Sequence, residues 1–442
     1  MTATGQEGHG RGPRGGTAPL RVDGERLLGR LAELAEVGAT PDGGCARLAL
    51  SDADRAGRDL VVGWMTALGL EVRVDEIGNV VASTPGVGAP VMMGSHIDTV
   101  TTGGRFDGNL GVLGGLEVIE TLQDSGVTPP RPLAVAFFTD EEGSRFSPDM
   151  LGSLAYVGGI GVAEALAITD VGGASVGGEL RRIGYAGPHP CPGPVPHAYV
   201  ELHIEQGPVL EAEGVEIGVV EGVQGISWQE VRVEGQANHA GTTPMGMRHD
   251  AGYAAGAIAT FVRRLALELG SPQVGTVGSL ALEPGLVNVV ARSARLTVDL
   301  RNTDELRLAE AERRLAAFLE QLARDEGVGV ATRRLARFAP VAFDPGVIDL
   351  VERIARAQGR STMRLPAGAG HDAQMLARVC PAGMIFVPSA GGISHSPLER
   401  TEPDALVAGA NVLLEVVLAL AAGELDAGAG GAGPAAGAAA GA

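Results

Sequence analysis

Hydrophobic residues recur along this chain in two patterns: short apolar runs, which predict strands, and helical spacing, which predicts helices. Apolar runs at residues 91–93 and 132–139 have the character of buried strands, and a helical pattern at residues 110–123 lies between them. Strand, helix, strand indicates a parallel α/β sheet with helices on its faces. The same two patterns predict helices at residues 26–37, 51–68, 345–358, 372–379 and 402–422, and strands at residues 71–74, 80–82, 198–204 and 382–387.

The pattern changes in the middle of the chain, between Gly222 and Arg337. Alternating or short apolar segments predict strands at residues 226–234, 275–282 and 294–301, and long helical patterns cover residues 250–269 and 303–326. Two helices against an antiparallel sheet make an α+β domain of roughly a hundred residues, an ordinary domain size. The segments near Gly222 and Arg337 are candidate hinges.

These patterns predict one α/β catalytic domain with a mixed or parallel sheet, interrupted by a smaller domain. The predicted catalytic domain comprises residues 21–222 and 337–423, and the inserted domain comprises residues 223–336. Low hydrophobicity at one end and a Gly/Ala-rich composition at the other predict disordered tails at residues 1–20 and 424–442.

Charge and cysteine content restrict the partners and the compartment. A net charge of −19 argues against nucleic acid or an anionic membrane as the main partner, because both attract positive proteins. The three cysteines are widely spaced and form neither a disulfide framework nor a zinc-finger pattern. We find no signal peptide and no apolar span of membrane-crossing length. A reduced, cytoplasmic location is therefore expected.

Three of the nine histidines stand beside acids and small residues, and each follows or ends an apolar strand. Any one of His96, His203 and His395 could be a satisfied core histidine. Together with Asp107 and Glu142 they form a set of five imidazole and carboxylate ligands, which suits zinc, manganese, cobalt or nickel. Two divalent ions need about this number of ligands if one carboxylate bridges them.

Neighbouring acids have candidate supporting and catalytic roles. Asp98 lies two residues after His96, so its carboxylate would accept the proton of the ring nitrogen that does not bind metal. An ordinary strand-end cap is the alternative. Glu141 and Glu142 point opposite ways if their segment is extended, so that one can bind metal while the other faces the water. They follow a buried strand, and open α/β sheets bind ligands where strands end.

A resemblance to a known family extends over most of the chain, from about residue 25 to residue 422. Seven ordered motifs resemble the amidase (hydantoinase/carbamoylase) branch of the dinuclear zinc M20 peptidase family: GSHIDTV, GRFDGNLGVLGGLE, FFTDEEGSRF, ELHIEQGPVLE, NHAGTTPM, GAGHDA and PSAGGISHSPLE. The resemblance implies that Asp107 bridges the two metals and that Glu141 is the general base. His203 stands where the peptidases of the family have an acidic ligand, which favours the amidase branch.

The resemblance also assigns residues to substrate binding. It implies that the inserted domain is a lid that forms a homodimer, and that His239 acts in trans at the active site of the other subunit. Gln206, Asn288 and Arg301 would hold the carboxylate and amide of the substrate. A guanidinium is the natural bidentate partner of a carboxylate, although Arg301 could also form a surface ion pair. His371 would contact substrate or cap the helix that begins next to it.

The function implied by the resemblance is a metal-dependent amidohydrolase with two divalent ions per subunit. Its small-molecule substrates would be N-carbamoyl (ureido) L-amino acids, cleaved to the amino acid, carbon dioxide and ammonia. Allantoate amidohydrolase and β-ureidopropionase activities are alternatives, and a peptidase or deacylase is a third. A non-catalytic binding module on the same fold would have lost a ligand or the base, and the sequence retains all of them.

Overall fold

A computed structural model of the chain describes residues 20–425, so the two predicted tails lie outside the described residues except for three positions. The strands are β1 (Glu71–Val74), β2 (Val80–Ser83), β3 (Val91–His96), β4 (Leu133–Phe138), β5 (Ala198–Ile204), β6 (Ile217–Val223), β7 (Gly225–Glu234), β8 (Val274–Glu283), β9 (Ser293–Asn302), β10 (Gly329–Phe338), β11 (Val341–Ala342), β12 (Thr362–Ala367) and β13 (Ala382–Val387).

The α-helices alternate with the strands in the first and last parts of the chain. They are α1 (Gly24–Glu36), α2 (Asp52–Ala67), α3 (Asn109–Asp124), α4 (Leu151–Tyr156), α5 (Val162–Ala167), α6 (Val176–Ile183), α7 (Val209–Glu213), α8 (Ala251–Leu269), α9 (Glu305–Glu326), α10 (Pro345–Ala357), α11 (Asp372–Leu376) and α12 (Pro403–Ala421). Short 3₁₀ turns lie at Met245–Met247 and Ala390–Gly392.

Nine strands form one mixed sheet, in the order β1-β2-β4-β3-β5-β13-β6-β11, and β12 pairs with β6. The four central strands β4, β3, β5 and β13 run parallel to one another. The flanking strands β2 and β6 are antiparallel to them. The carboxyl ends of the four parallel strands therefore meet at one edge of the sheet, where an α/β fold places its ligands.

Helices cover both faces of this sheet, as the side chains of β5 show. Leu202 faces α3 and α12, since a Cβ added at Gly114 or Gly409 would lie 3.1 or 2.7 Å from its methyl carbons. Glu201 points to the other face, where its carboxylate accepts a hydrogen bond of 2.8 Å from the N–H of Ala373 in α11. This arrangement confirms the predicted α/β class.

The inserted segment forms a second sheet with its own hydrophobic core. Its strands are antiparallel in the order β10-β7-β9-β8, and α8 and α9 pack against them. The rings of Phe261 and Phe318 stack between the two helices with centroids 4.0 Å apart. The α+β class of this domain is confirmed, whereas its boundaries at residues 223 and 336 and the two hinges stay predictions.

The sequence analysis missed several strands for identifiable reasons. The apolar run of β6 is interrupted by Gly218 and Gly222, and β10 carries three arginines because it is an exposed edge strand. The helix predicted at residues 372–379 ends at Leu376. The helix predicted at residues 51–68 is capped by Ser51, whose hydroxyl accepts from the N–H of Asp54 at 3.1 Å.

One described helix, α12, is long and largely apolar, although Asp404 and Glu415 interrupt its run of apolar residues. This helix has 19 residues and a mean hydropathy of 1.9, which meets the length and composition criteria for a membrane span. However, 67% of the span is buried inside the protein, where α12 packs against α3, α10, β5 and β13. The helix is therefore accounted for as a core element of the catalytic domain.

The close packing of β3 against β4 generates a stability prediction. A Cβ at Gly94 would lie 2.2 Å from the carbonyl oxygen of Ala136, so we expect Gly94→Ala to destabilise the catalytic domain by at least about 1–3 kcal/mol. Urea unfolding followed by circular dichroism measures the change. Gly63→Ala in α2 is the matched control, because its Cβ has open space and alanine favours a helix by roughly 0.5–1 kcal/mol. Equal transitions for the two variants would contradict the packing argument.

Candidate active site

The carboxyl ends of the four parallel strands bring together the five predicted metal ligands. His96 is the last residue of β3, and Asp107 lies in the loop from β3 to α3. Glu142 follows β4, His203 is the penultimate residue of β5, and His395 lies in the loop after β13. Ligands separated by up to 299 residues in the sequence thus meet because the sheet topology places these strands side by side.

Asp107 occupies the centre of the cluster and presents one carboxylate oxygen to each side. Its Oδ1 lies 3.5 Å from His96 Nε2 and 3.2 Å from His203 Nε2. Its Oδ2 lies 3.4 Å from His395 Nε2, which in turn lies 3.2 Å from Glu142 Oε2. Donors about 2.1 Å from one tetrahedral ion are separated by about 3.4 Å, so these spacings suit two cations that share Asp107.

Two of the histidines have the tautomer that a metal ligand needs. The backbone carbonyl of Asp98 accepts from His96 Nδ1 at 2.9 Å, and the carbonyl of Ile204 accepts from His203 Nδ1 at 2.8 Å. A carbonyl only accepts, so each Nδ1 carries a proton and each Nε2 is the ring nitrogen that would bind a metal. The N–H of Gly108 also donates to His203 Nε2 at 3.1 Å. The donor set therefore fits divalent metal ions.

Buried carboxylates crowd this site and perturb one another. Burial and the charge of Asp107 raise the pKa of Glu142 to about 8. Burial, together with the charges of Asp372 and Glu142, raises the pKa of Glu141 well above its usual range. Burial also opposes ionisation of Asp107, but hydrogen bonds from the three histidines outweigh it and hold its pKa well below the usual range. A divalent cation would relieve this repulsion.

Asp98 supports the site through different atoms from those predicted. Its backbone carbonyl, rather than its carboxylate, is the acceptor for His96, and Oδ1 lies 3.9 Å from His96 Nδ1. The carboxylate instead accepts from the N–H groups of Glu141 at 3.2 Å and Glu142 at 3.3 Å. It thereby fastens the loop after β4 to the loop after β3.

The segment of Glu141 and Glu142 is bent rather than extended, and both acids line one cavity. Asp140 has a φ of 57°, so the chain turns sharply as it leaves β4. Glu141 Oε2 lies 3.4 Å from His96 Nε2, whereas Glu142 approaches His395. The two acids thus sit on opposite sides of the central carboxylate.

Two predicted substrate residues line the same cavity of about 90 Å³. Gln206 Nε2 donates to Asp107 Oδ2 at 2.7 Å. His371 is buried, its ring centroid is 4.5 Å from that of His203, and neither ring nitrogen has a hydrogen-bond partner in the described part of the chain. Its side chain makes no capping hydrogen bond to α11.

The remaining predicted residues lie on the inserted domain. Arg301 Nη1 donates to the carbonyl of Gly368 at 2.6 Å, beside the cavity residues Ala369 and Gly370. His239 and Asn288 are exposed neighbours, since the N–H of Ala240 donates to the carbonyl of Asn288 at 2.9 Å. Neither belongs to the lining of the cavity. Arg301 therefore contacts the segment that borders the cavity and also forms an ion pair with Asp299 at 3.0 Å, whereas His239 and Asn288 lie away from the cavity lining.

Sequence reasoning missed three polar residues that contact the cluster or its cavity. Ser394 Oγ donates to Asp107 Oδ2 at 3.0 Å, and Glu399 accepts from the N–H of Asp107 at 3.3 Å. Asp149 lines the cavity. Ser394 and Glu399 flank His395 within the motif ISHSPLE, so their position beside a ligand was the available signal.

Comparisons with known proteins agree with this geometry. Residues 92–419 match the model of peptidase family M20/M25/M40. An N-carbamoyl-L-amino-acid amidohydrolase from Rhizobium meliloti is 41% identical over 401 residues, which cover 90% of this chain and 96% of the relative. A ureidoglycolate hydrolase from Oryza sativa subsp. japonica is 36% identical, with 93% of this chain and 87% of the relative covered.

A solved structure supports the assignment of the fold. The crystal structure of an amidase of the hydantoinase/carbamoylase family from Burkholderia multivorans superimposes with a TM-score of 0.89 at 45% identity. The match covers 91% of this chain and 99% of that chain. The expected family is thus confirmed: the chain belongs to peptidase family M20/M25/M40, in its amidase (hydantoinase/carbamoylase) branch, and it is a hydrolase.

Proposed function

We propose that this protein is a metal-dependent amidohydrolase that cleaves N-carbamoyl L-amino acids. The observation that carries the proposal is Asp107, whose two carboxylate oxygens face two separate ligand sets with a buried glutamate, Glu141, beside one of them. The names of relatives favour the carbamoyl substrates. A relative named ureidoglycolate hydrolase makes other small ureido acids, including allantoate, the second candidate class.

Two divalent ions are the cofactors in this proposal. His96 and His203 would hold one and His395 and Glu142 the other, with Asp107 between them. Zinc, manganese, cobalt and nickel all suit this mixture of imidazole and carboxylate donors. When bound, the ions supply Lewis-acid activation of water and of the scissile carbonyl. We also propose a cytoplasmic location, consistent with three free thiols.

Glu141 is the proposed general base. Its carboxylate is buried at the cavity wall, where burial raises its pKa and makes it a stronger base than an exposed glutamate. It would take a proton from the attacking water and deliver one to the nitrogen that leaves with the amino acid. The bond that breaks joins the ureido carbon to that nitrogen. One water is consumed, and the amino acid, carbon dioxide and ammonia are formed.

Substrate would be held between the two domains. Arg301 carries a fixed positive charge to the edge of the cavity and would bind the substrate carboxylate in bidentate fashion. Gln206 and His371 line the same cavity, Gln206 with its amide and His371 with ring nitrogens that have no hydrogen-bond partner among the described residues. Asn288 would join them from the lid. Closure of the lid would then complete the binding site.

A homodimer through the lid is part of the proposal. Strand β8 is one of the two edges of the smaller sheet and exposes the apolar side chains of Val274, Leu280 and Leu282. An exposed apolar edge strand is a template for pairing with another chain. His239 and Asn288 lie exposed on the same domain. In a dimer formed through this domain, His239 would reach the active site of the partner subunit and oppose the negative charge on the substrate's carbonyl oxygen.

A substrate panel tests the reaction class. The protein is reconstituted separately with zinc, manganese, cobalt and nickel, and ammonia and primary amine release are followed. N-carbamoyl-L-amino acids should be turned over faster than N-carbamoyl-β-alanine, allantoate and ureidoglycolate. Faster release from N-acetyl amino acids or dipeptides would point to a deacylase or peptidase. No turnover of any substrate would favour a binding module.

The role of Glu141 is tested by Glu141→Gln. We expect kcat to fall by at least about 10²-fold, since the amide cannot accept the proton, whereas the metal content should be unchanged. Elemental analysis and steady-state kinetics give the two quantities. Glu164→Gln, on the exposed surface of α5, is the matched control and should keep wild-type kcat. Near-normal turnover by Glu141→Gln would remove the general-base assignment.

The action of His239 in trans is tested by mixing two inactive variants. A heterodimer of His239→Ala and Glu141→Gln subunits would contain one intact site, because one subunit retains Glu141 and its partner retains His239. Random mixing should restore about a quarter of the wild-type rate, as half of the dimers are mixed and each has one working site. If subunit exchange is demonstrated by mass spectrometry and no activity returns, His239 acts within its own chain or not at all.

A further inference from the structure

A buried carboxylate outside the ligand set contacts the central loop of the metal cluster. Glu399 lies four residues after His395, before α12 begins, and its relative exposure is 5%. Its Oε1 accepts from the N–H of Phe106 at 2.9 Å and from the N–H of Asp107 at 3.3 Å. Its Oε2 lies 3.1 Å from the hydroxyl of Ser394, whose single proton is shared between this oxygen and Asp107 Oδ2. The carboxylate thus joins two loops that each supply a metal ligand.

The glycine-rich loop before Asp107 is shaped around this carboxylate. A Cβ at Gly104 would lie 2.1 Å from Glu399 Cδ, which is far inside contact distance. A Cβ at Gly103 would likewise approach Thr99 Cβ to 2.8 Å. The two glycines allow the backbone to fold closely enough for the N–H groups of residues 106 and 107 to converge on Glu399.

Ser394 extends the contact from the backbone of Asp107 to its side chain. The hydroxyl lies 3.1 Å from Glu399 Oε2 and 3.0 Å from Asp107 Oδ2. Gln206 Nε2 approaches the same Oδ2 at 2.7 Å, while Oδ1 faces the other pair of histidines. These contacts fix which oxygen of Asp107 is turned toward His395.

His395 needs such an anchor more than the other ligands do. Its side chain is 49% exposed and its φ is 52°, whereas His96 and His203 end buried strands. The loop is held on its other side by Thr102, whose hydroxyl donates to the carbonyl of His395 at 3.2 Å. Strand packing therefore orders one side of the cluster, and hydrogen bonds between loops order the other.

We infer that Glu399, acting through Ser394, is a positioning residue that sets the distance between Asp107 and His395 and so creates the site for the second ion. The inference rests on the proposed two-metal centre. Groups that orient metal ligands usually contribute 10–100-fold to metal affinity or activity. Glu399 does not touch substrate in this scheme.

The test is a metal titration of metal-free protein with Mn²⁺ or Zn²⁺ by calorimetry. Wild type should bind two ions per subunit. In Glu399→Ala we expect the affinity for one ion to fall by about 10–100-fold while the other ion binds as in wild type. In steady-state assays kcat should fall more than KM rises. Glu402→Ala is the matched control, three residues along the chain and exposed to solvent, and it should bind both ions normally.

Two further variants separate positioning from general structural damage. Glu399→Gln keeps one oxygen that can accept from the N–H of Asp107, so it should recover part of the lost affinity. Ser394→Ala should weaken the same ion by a smaller factor. Circular dichroism identifies any variant that fails to fold. The metal affinities of the remaining folded variants then decide whether Glu399 positions the second ion.

The outcomes also distinguish this inference from the proposal on which it depends. Wild-type affinity for both ions in every folded variant at positions 394 and 399 would overturn the positioning role. A wild-type protein that binds no ions, or only one, would instead refute the two-metal centre.

Discussion

One buried carboxylate shared between two sets of ligands is the constraint on which the catalytic domain depends. Asp107 can face His96 and His203 with one oxygen and His395 with the other only if three strand ends and two loops meet within a few ångströms. The parallel order β4-β3-β5-β13 supplies the strand ends. The loops are fixed by hydrogen bonds that backbone N–H groups donate to the carboxylates of Asp98 and Glu399. The precise geometry of the site therefore comes from polar contacts between loop segments.

The N-terminal helices contribute to the site without reaching it. Arg47 is fully buried, and its guanidinium donates to the carbonyl of Ile97 at 2.7 Å and to Asn109 Oδ1 at 2.9 Å, at the two ends of the loop that carries Asp107. Arg58 is also buried and contacts Thr139 Oγ1 at 3.2 Å, just before the acidic pair. Buried guanidiniums are stable only when several acceptors surround them. These two arginines therefore couple the packing of α1 and α2 to the geometry of the cluster.

Much of the fold and the ligand set could be predicted from the sequence, because strands with continuous apolar runs end in the residues that carry the chemistry. The strands β6 and β10 could not be predicted in this way. Glycines interrupt the apolar run of β6, and exposed arginines hide the strand pattern of β10. The turn at Asp140 and the carbonyl partner of His96 depend on backbone geometry that no residue pattern encodes. Glu399 was missed because a glutamate in a polar loop gives no sign of its burial.

The place of β13 in the sheet has a consequence for how the protein is made. This strand lies between β5 and β6 in the larger sheet, yet it is the last of the described strands to leave the ribosome. Until then β5 and β6 lack their common neighbour, and the whole inserted domain, with its separate core, has already been synthesised. Domains generally fold as units during synthesis. The smaller domain can therefore fold first, while the catalytic domain still lacks one strand of its sheet and the fifth ligand, His395.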